Sequence, residues 1–284
     1  MVLIFEKLRK EDYFLFASAM YSQPISCSSI IEQATNPFIS FHQQLGCFHS
    51  DWHQHEWGQL MYAEKGCLHV SSQEKQVLIP GWYGVWIPPN TYHASWSTNS
   101  QLHMRAICFP VDAGKPCLCR TIAVFPVSTL LREMIRYTER WGQEPIHEAQ
   151  ATRFLQALED VLPGEVEKSI PVCLPSTRHP KLLAITSYIQ ENLAQPINFL
   201  WLSREFGLSA RSLSRLFMHE LGSSFSTYCK IARIMRALEL IEMGYDNVAQ
   251  LATAVGYESM ATFSNNFLAL CGQRPLLYIH SKRH

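Results

Sequence analysis

The C-terminal third of the chain contains the stretch LSREFGLSARSLSRLFMHELGSSFSTY at residues 202–228 and a matching stretch, LATAVGYESMATFSNNFLALCGQRPLLY, at residues 251–278. Glycine, serine, apolar and tyrosine positions recur in the same order in both. The offset is 49 residues up to the first glycine and 50 from the following serine onward, because Glu258 adds one residue to the second copy. Self-similarity at a fixed spacing indicates two copies of one supersecondary unit.

Each copy predicts two short helices joined by a tight turn. The first helix ends at a glycine, Gly207 or Gly256, which adopts the left-handed conformation at little steric cost. A serine, Ser209 or Ser259, then caps the second helix, and apolar residues spaced four apart bury one face of that helix. This arrangement is the helix-turn-helix motif, whose second helix enters the major groove of DNA. A structural helical hairpin is the alternative, and the second matching copy argues against it.

Composition and charge fit a globular protein of two domains. The 284 residues are 47% hydrophobic and 17% charged, which excludes a disordered chain. The net charge of +0 is uneven: residues 178–284 carry 11 Lys/Arg and 7 Asp/Glu, a net of +4, and residues 1–177 carry 13 and 17, a net of −4. The basic half is the half with the repeat, as phosphate contacts require. The nine cysteines lack a disulfide-like spacing and no apolar run is long enough to span a membrane, so we expect a cytoplasmic protein.

The N-terminal part predicts strands followed by helices. From about Phe38 to Pro110, short apolar segments alternate with Gly, Pro and Asn, which indicates an antiparallel β-barrel or sandwich. Two helices are predicted next, Val127–Trp141 and Pro145–Leu162, with Pro163-Gly164 ending the second. Their apolar stripes either cover the β-domain or form a dimer interface.

These patterns predict a two-domain α+β protein. Residues 1–165 are predicted to form an antiparallel β-barrel with helices, which is also the candidate dimerisation domain. Residues 166–180 form a proline-containing linker. Residues 181–284 form an all-α DNA-binding domain with two helix-turn-helix units.

The C-terminal hundred residues resemble the AraC/XylS class of bacterial transcription regulators. The matching signature residues are Gly256, Tyr257, Ser259, Phe263, Phe267, Gly272, Pro275 and Tyr278. The resemblance implies base-reading positions, which are Arg211, Ser214 and Arg215 in the first unit and Met260, Ala261, Thr262 and Asn265 in the second. Arg211 and Arg215 lie one turn apart, and arginine can bind guanine bidentately. The second helix has no basic residue from Ser259 to Phe267, so we expect the first unit to carry most of the specificity.

The N-terminal region resembles the cupin-type sensor domain that many of these regulators carry. His53-Gln54-His55, Gln59 and Gly66 are similar to the first cupin motif, and the segment Pro88–His93, with Asn90 in place of the usual glycine, is similar to the second. The resemblance implies a cupin-like barrel that senses an effector.

A candidate sensor site follows from these motifs. His53, His55, Trp57 and Gln59 have the same parity on a strand and would face the barrel interior, where the second motif places His93. Three imidazoles and one oxygen donor can hold Zn, Ni, Fe, Co or Cu. Gln59 is a neutral amide and a poorer ligand than the glutamate usual in cupin enzymes. A metal-free pocket in which the same five residues bind an organic effector is the other interpretation.

The sequence therefore predicts an effector-responsive, sequence-specific regulator that binds double-stranded DNA. Its effector would be a small molecule or a metal ion, it would form a homodimer, and RNA polymerase is a further candidate partner. No membrane association is expected. A metal-dependent cupin enzyme fused to a DNA-binding domain is the alternative, but Glu56 would point away from the ligands and no catalytic residue is predicted. A purely architectural DNA-binding protein would need no aromatic-rich pocket.

Overall fold

The computed structural model describes residues 38–110, 118–141, 149–170, 172–177 and 179–281. The strands in this part are β1 (Ile39–Gln44), β2 (Phe48–His49), β3 (Gly58–Lys65), β4 (Cys67–Ser72), β5 (Lys75–Pro80), β6 (Tyr83–Ile87), β7 (His93–Ser97), β8 (His103–Phe109), β9 (Ala123–Pro126) and β10 (Cys173–Pro175). They form two five-stranded antiparallel sheets, ordered β1-β8-β3-β6-β9 and β10-β5-β4-β7-β2.

The inner faces of the two sheets share one apolar core. Met61 and Val85 from the first sheet belong to the same buried cluster as Val70 and Val77 from the second. The predicted antiparallel N-terminal sheets are confirmed, but the barrel is not closed. The strands at the ends of the second sheet, β2 and β10, have two and three residues, too few to carry hydrogen bonding across to the first sheet.

Two helices cover the outer face of the first sheet. They are α1 (Thr129–Tyr137), which continues as a 3₁₀ turn, and α2 (Ala149–Val166). Leu131 and Leu155 pack with Leu60 and Phe125 in a second buried cluster. The predicted start of the second helix at Pro145 lies outside the described residues.

The prediction that Pro163-Gly164 ends the second helix is wrong, because α2 runs on to Val166. Buried Glu165 lies in that final turn, and its Oε2 accepts a hydrogen bond from the Ser128 backbone N–H just before α1. This tie between helices offsets the backbone hydrogen bond that proline removes.

Between residues 179 and 281 the regular structure consists of helices alone. These helices are α3 (Pro180–Glu191), α4 (Phe199–Glu205), α5 (Ala210–Leu221), α6 (Phe225–Glu242), α7 (Val248–Ala254), α8 (Met260–Cys271) and α9 (Pro275–Ser281). Helices α4 and α5 form the first reading unit, α7 and α8 form the second, and α6 joins the two. No helix of the described part is long and apolar enough to cross a membrane.

The predicted linker contributes to the second sheet. Strand β10 lies within residues 166–180 and pairs with β5, with Cys173 opposite Val77. The domain limits 1–165, 166–180 and 181–284 stay predictions. Part of the predicted linker, Cys173–Pro175, is nevertheless a strand paired with β5 of the second sheet.

The outer face of the second sheet packs against helix α6. His69 Nε2 on β4 lies 3.2 Å from Glu239 Oε1 on α6, and the His69 ring stacks in parallel on Trp96 of β7 at 3.7 Å between ring centroids. Tyr83 stacks on Tyr278 of α9 with ring centroids 6.4 Å apart. The β-sandwich and the reading helices therefore share one packed interface.

Candidate nucleic-acid interface and sensor site

The first reading unit presents its predicted base-reading residues on a free helix face. The turn contains Gly207 with φ +63, and the side chain of Ser209 accepts a hydrogen bond from the Ser212 backbone N–H, which starts α5. Leu213 and Phe217 are fully buried below the helix. The predicted readers Arg211, Ser214 and Arg215 are all exposed on the opposite face.

The second reading unit has the same build with different chemistry. Ser259 caps α8 by accepting from the Thr262 backbone N–H, and Phe263 and Phe267 are buried. The predicted readers Met260, Ala261, Thr262 and Asn265 are exposed. All seven positions are accessible to DNA, and their contacts with bases stay predictions.

One cation beside the second reading helix was missed by the sequence reasoning. Arg274 follows the left-handed cap Gly272, and its Nη1 donates to Asn265 Oδ1 at 2.8 Å and to Ser264 Oγ at 3.2 Å. It lies outside the segment Ser259–Phe267 that was searched for basic residues. Only the reversal of the chain after α8 brings it back to the helix.

The three predicted sensor histidines do come together in the sandwich. The imidazoles of His53, His55 and His93 each offer a ring nitrogen, and these three atoms lie within 4.8 Å of one another. Ring centroids are 4.4 Å apart for His53 and His93 and 5.3 Å apart for His55 and His93.

The tautomers of these histidines are set by the backbone. The Nδ1–H groups of His53, His55 and His93 donate to the carbonyl oxygens of Asp51, Trp57 and Thr91, each at 2.8 Å. Because each Nδ1 is a donor, each Nε2 of a neutral ring keeps a free lone pair. The buried Nε2 of His53 has no hydrogen-bond partner within the described residues. A second ring nitrogen held by a backbone carbonyl is the arrangement typical of metal-bound histidines.

Burial keeps two of these imidazoles neutral. Burial, followed by the neighbouring His53 and His55, lowers the pKa of His93 to about 3. Burial also lowers the pKa of His55. Neutral imidazole is the form that binds metal, so these side chains are in the ligating state around neutral pH.

The prediction that His53, His55 and Gln59 share one strand is wrong. Strand β3 begins only at Gly58, and His53 instead forms an isolated antiparallel bridge with His93. His55 is held separately, because its carbonyl oxygen accepts from the Asn90 backbone N–H at 2.8 Å. Asn90 has φ +58, which is the left-handed conformation that a glycine would adopt readily.

Gln59 and Trp57 complete the site. Gln59 is buried, and its Oε1 lies 3.3 Å from His55 Nε2. Trp57 is half-buried and packs against Ile39 and Cys108. Three imidazole nitrogens and one amide oxygen therefore converge, a donor set that fits a borderline transition metal such as Zn²⁺. Glu56 was predicted to point away from the site, and its side chain is exposed.

Comparison with known proteins places the chain in a class. Residues 202–280 match a family model described as a helix-turn-helix domain. The chain is 29% identical to the helix-turn-helix transcriptional regulator NimR of Escherichia coli over 80% of its own length and 81% of that protein. It is 32% identical to the regulator GlxA of Rhizobium meliloti over 35% of this chain and 31% of that protein. Among solved structures it is similar to ToxT of Vibrio cholerae, with a TM-score of 0.37 and 12% identity over 87% of this chain and 98% of that one.

The chain is therefore a helix-turn-helix, DNA-binding transcription regulator and not an enzyme. Residues 202–280 contain the helix-turn-helix domain that the two matching stretches at 202–228 and 251–278 predicted. Double-stranded DNA is its partner.

Proposed function

We propose that this transcription regulator responds to a divalent transition metal bound by His53, His55 and His93, with Gln59 as the oxygen donor. The observation that carries the proposal is the convergence of three ring nitrogens within 4.8 Å while every Nδ1–H is bound to a carbonyl. Zn, Ni, Fe, Co and Cu suit three imidazoles, whereas Mg²⁺ and Ca²⁺ prefer oxygen ligands. The cupin-like character of the sandwich is part of this proposal.

The strand that carries His93 also supports a route to the DNA-binding helices. On β7, His93 and Trp96 have opposite parity, so His93 faces the sensor site and Trp96 faces the outer side. Trp96 stacks on His69, which contacts Glu239 on the helix between the two reading units. A ligand that favours one position of His93 would thereby favour one arrangement of the reading helices.

A homodimer in the cytoplasm, with RNA polymerase as a further partner, is the assembly we propose for this regulator. Leu130 and Tyr137 on α1 are 61% and 45% exposed, although apolar residues of the opposite face of α1, Leu131 and Ile135, are fully buried. A symmetric pairing of α1 would cover the exposed pair.

Metal binding to the purified full-length protein tests the sensor proposal. We expect about one Zn²⁺, Co²⁺ or Ni²⁺ per chain in equilibrium dialysis, the loss of that ion in His93→Ala and His55→Ala, and no loss in His280→Ala, whose imidazole is exposed on α9. Retention of the metal in His93→Ala would contradict the assigned ligands. Absence of metal binding in the unmodified protein would leave an organic effector as the occupant of the site.

DNA affinity measured with and without the metal tests the regulatory part. We expect a change of about 5- to 150-fold, the usual range of allosteric coupling. Equal affinity in both states would show that the site does not regulate DNA binding.

A further inference from the structure

The two recognition helices differ in charge. Helix α5 carries the exposed arginines Arg211 and Arg215, whereas α8, Met260–Cys271, contains no lysine or arginine. Arginine is the residue that reads guanine most often, so α8 lacks the commonest base-reading side chain.

Arg274 supplies a positive charge beside the position of α8 that corresponds to Arg215 in α5. With the 50-residue offset, Ser264 and Asn265 correspond to Ser214 and Arg215 of the first unit. Those two residues are the hydrogen-bond partners of Arg274 Nη1, at 3.2 and 2.8 Å. The guanidinium of Arg274 is therefore anchored beside the position that Arg215 occupies in the first unit.

The free edge of this guanidinium suits a nucleobase. Nη1 is used in holding the group against α8, while Nε and Nη2 have no hydrogen-bond partner among the described residues and the side chain is exposed. Two parallel N–H donors on one rigid edge match the O6 and N7 acceptors of guanine. Anchoring by Nη1 also fixes the orientation of that edge before DNA binds.

The repeat also shows that Arg274 stands where a cap would be expected. The equivalent residue is Ser224, whose Oγ accepts from the Thr227 backbone N–H and caps α6. Arginine has no acceptor and cannot make this bond. The second unit thus has an arginine in place of a capping serine and an asparagine in place of Arg215. Its positive charge lies in the turn that follows the recognition helix, whereas the first unit has this charge on the helix itself.

We infer that Arg274 is a specificity-determining residue of the second reading unit and binds the guanine edge of a base pair in its half-site. The second unit is then a sequence reader with its cation supplied from outside the recognition helix. Recognition of DNA by Arg274 does not depend on what occupies the sensor site.

Selection of binding sites from a random-sequence DNA library tests this role in the full-length protein. We expect the unmodified protein to recover a bipartite motif with guanine at one position of the second half-site, and Arg274→Ala to lose the preference at that position alone. Affinity for the guanine-containing sequence should fall about 5- to 150-fold, with a smaller change for sequences that already lack the guanine.

Two variants separate base reading from other roles. Arg274→Lys keeps the charge but not the two-donor edge and should also lose the guanine preference, whereas Lys181→Ala, which removes one exposed charge from α3, should not. Equal weakening of every sequence by Arg274→Ala, with a shallower salt dependence, would overturn base reading and identify a phosphate contact. An unchanged motif and affinity, with an unchanged unfolding temperature, would overturn any contact of Arg274 with DNA.

Discussion

His69 on the sensor sheet and Glu239 on the helix between the two reading units are joined by a contact of 3.2 Å. The side chain of His69 is buried and that of Glu239 is 14% exposed, and Arg236 Nη1 also donates to Glu239 at 2.6 Å. Burial by itself would raise the pKa of Glu239, but the hydrogen bonds and charges of His69 and Arg236 hold this pKa below its ordinary value. The carboxylate is therefore ionised where the two regions meet.

A double-mutant cycle of His69→Ala and Glu239→Ala should show coupling between the two residues. Hydrogen bonds to charged groups contribute about 1.5–3 kcal/mol, so we expect a coupling free energy of roughly that size in urea denaturation. The same cycle on His219 and Glu220, whose side chains are 84% and 27% exposed, should give about 0–1 kcal/mol. Equal coupling in both cycles would contradict a special role for the pair His69 and Glu239.

Gly256→Ala should destabilise the DNA-binding region more than Gly207→Ala. Both glycines have positive φ, +80 and +63, so each substitution costs about 1–3 kcal/mol of backbone strain. A Cβ at Gly256 would also overlap the Leu193 carbonyl oxygen, whereas a Cβ at Gly207 would meet nothing within 4 Å. The free energy of unfolding of the two variants checks this order, and similar losses would show that the turn of the second unit relaxes freely.

Arg211→Ala and Arg215→Ala should each weaken binding to the DNA sequence recovered by selection by about 1–3 kcal/mol. Both guanidinium groups are exposed above the buried face of Leu213 and Phe217, so their loss should leave the unfolding temperature unchanged. Gel-shift titration against Lys181→Ala provides the comparison. Unchanged affinity in Arg215→Ala would refute the assignment of α5 as a base-reading helix.

Gln59→Glu should increase the affinity for metal and lower the free energy of unfolding of the metal-free protein. A carboxylate adds a negative charge beside the three imidazoles, and we expect at least about tenfold tighter Zn²⁺ binding in competition with a chelator. Without metal, the same carboxylate is buried beside neutral rings, which lowers stability. Gln59→Leu is the matched control and should lose affinity. Identical Zn²⁺ affinity in all three proteins would exclude Gln59 from the site.

His42 should make folding less favourable in acid. Its Nε2 is 2.9 Å from Thr138 Oγ1, whose hydroxyl donates to the Ile135 carbonyl, so Nε2–H is the donor and buried Nδ1 is unprotonated. Burial, followed by the charge of Arg105, lowers the pKa of His42 to about 4. The contribution to stability is complete above the unfolded pKa of 6.5 and falls as the pH drops through 4.

Comparison of His42→Gln with the unmodified protein isolates this effect. The free energy of unfolding should fall more steeply between pH 6.5 and 4 in the unmodified protein than in the variant. Parallel curves would mean that His42 has the same pKa in the folded and unfolded chain.

The helices of the reading units were predictable because their signals are local. Glycine and serine at Gly207 and Ser209 fix the turn and the cap, and four-residue apolar spacing fixes the buried face. The grouping of His53, His55 and His93 followed from motif resemblance, but their backbone bridge did not, because strand parity assumes a regular strand that starts only at Gly58. Arg274 was missed because its contact depends on how the chain reverses after α8.

Strand β10 has a consequence for exchanging the two halves of this regulator between relatives. Because Cys173–Pro175 is the outermost strand of the second sheet, a chimaera joined at residue 165 would strip that sheet and leave β5 with unpaired backbone groups. Such a hybrid should aggregate through the exposed edge of β5. A junction placed after Thr177 and before α3 would keep all ten strands in one protein, so chimaeras are best joined after the proline-containing segment and not before it.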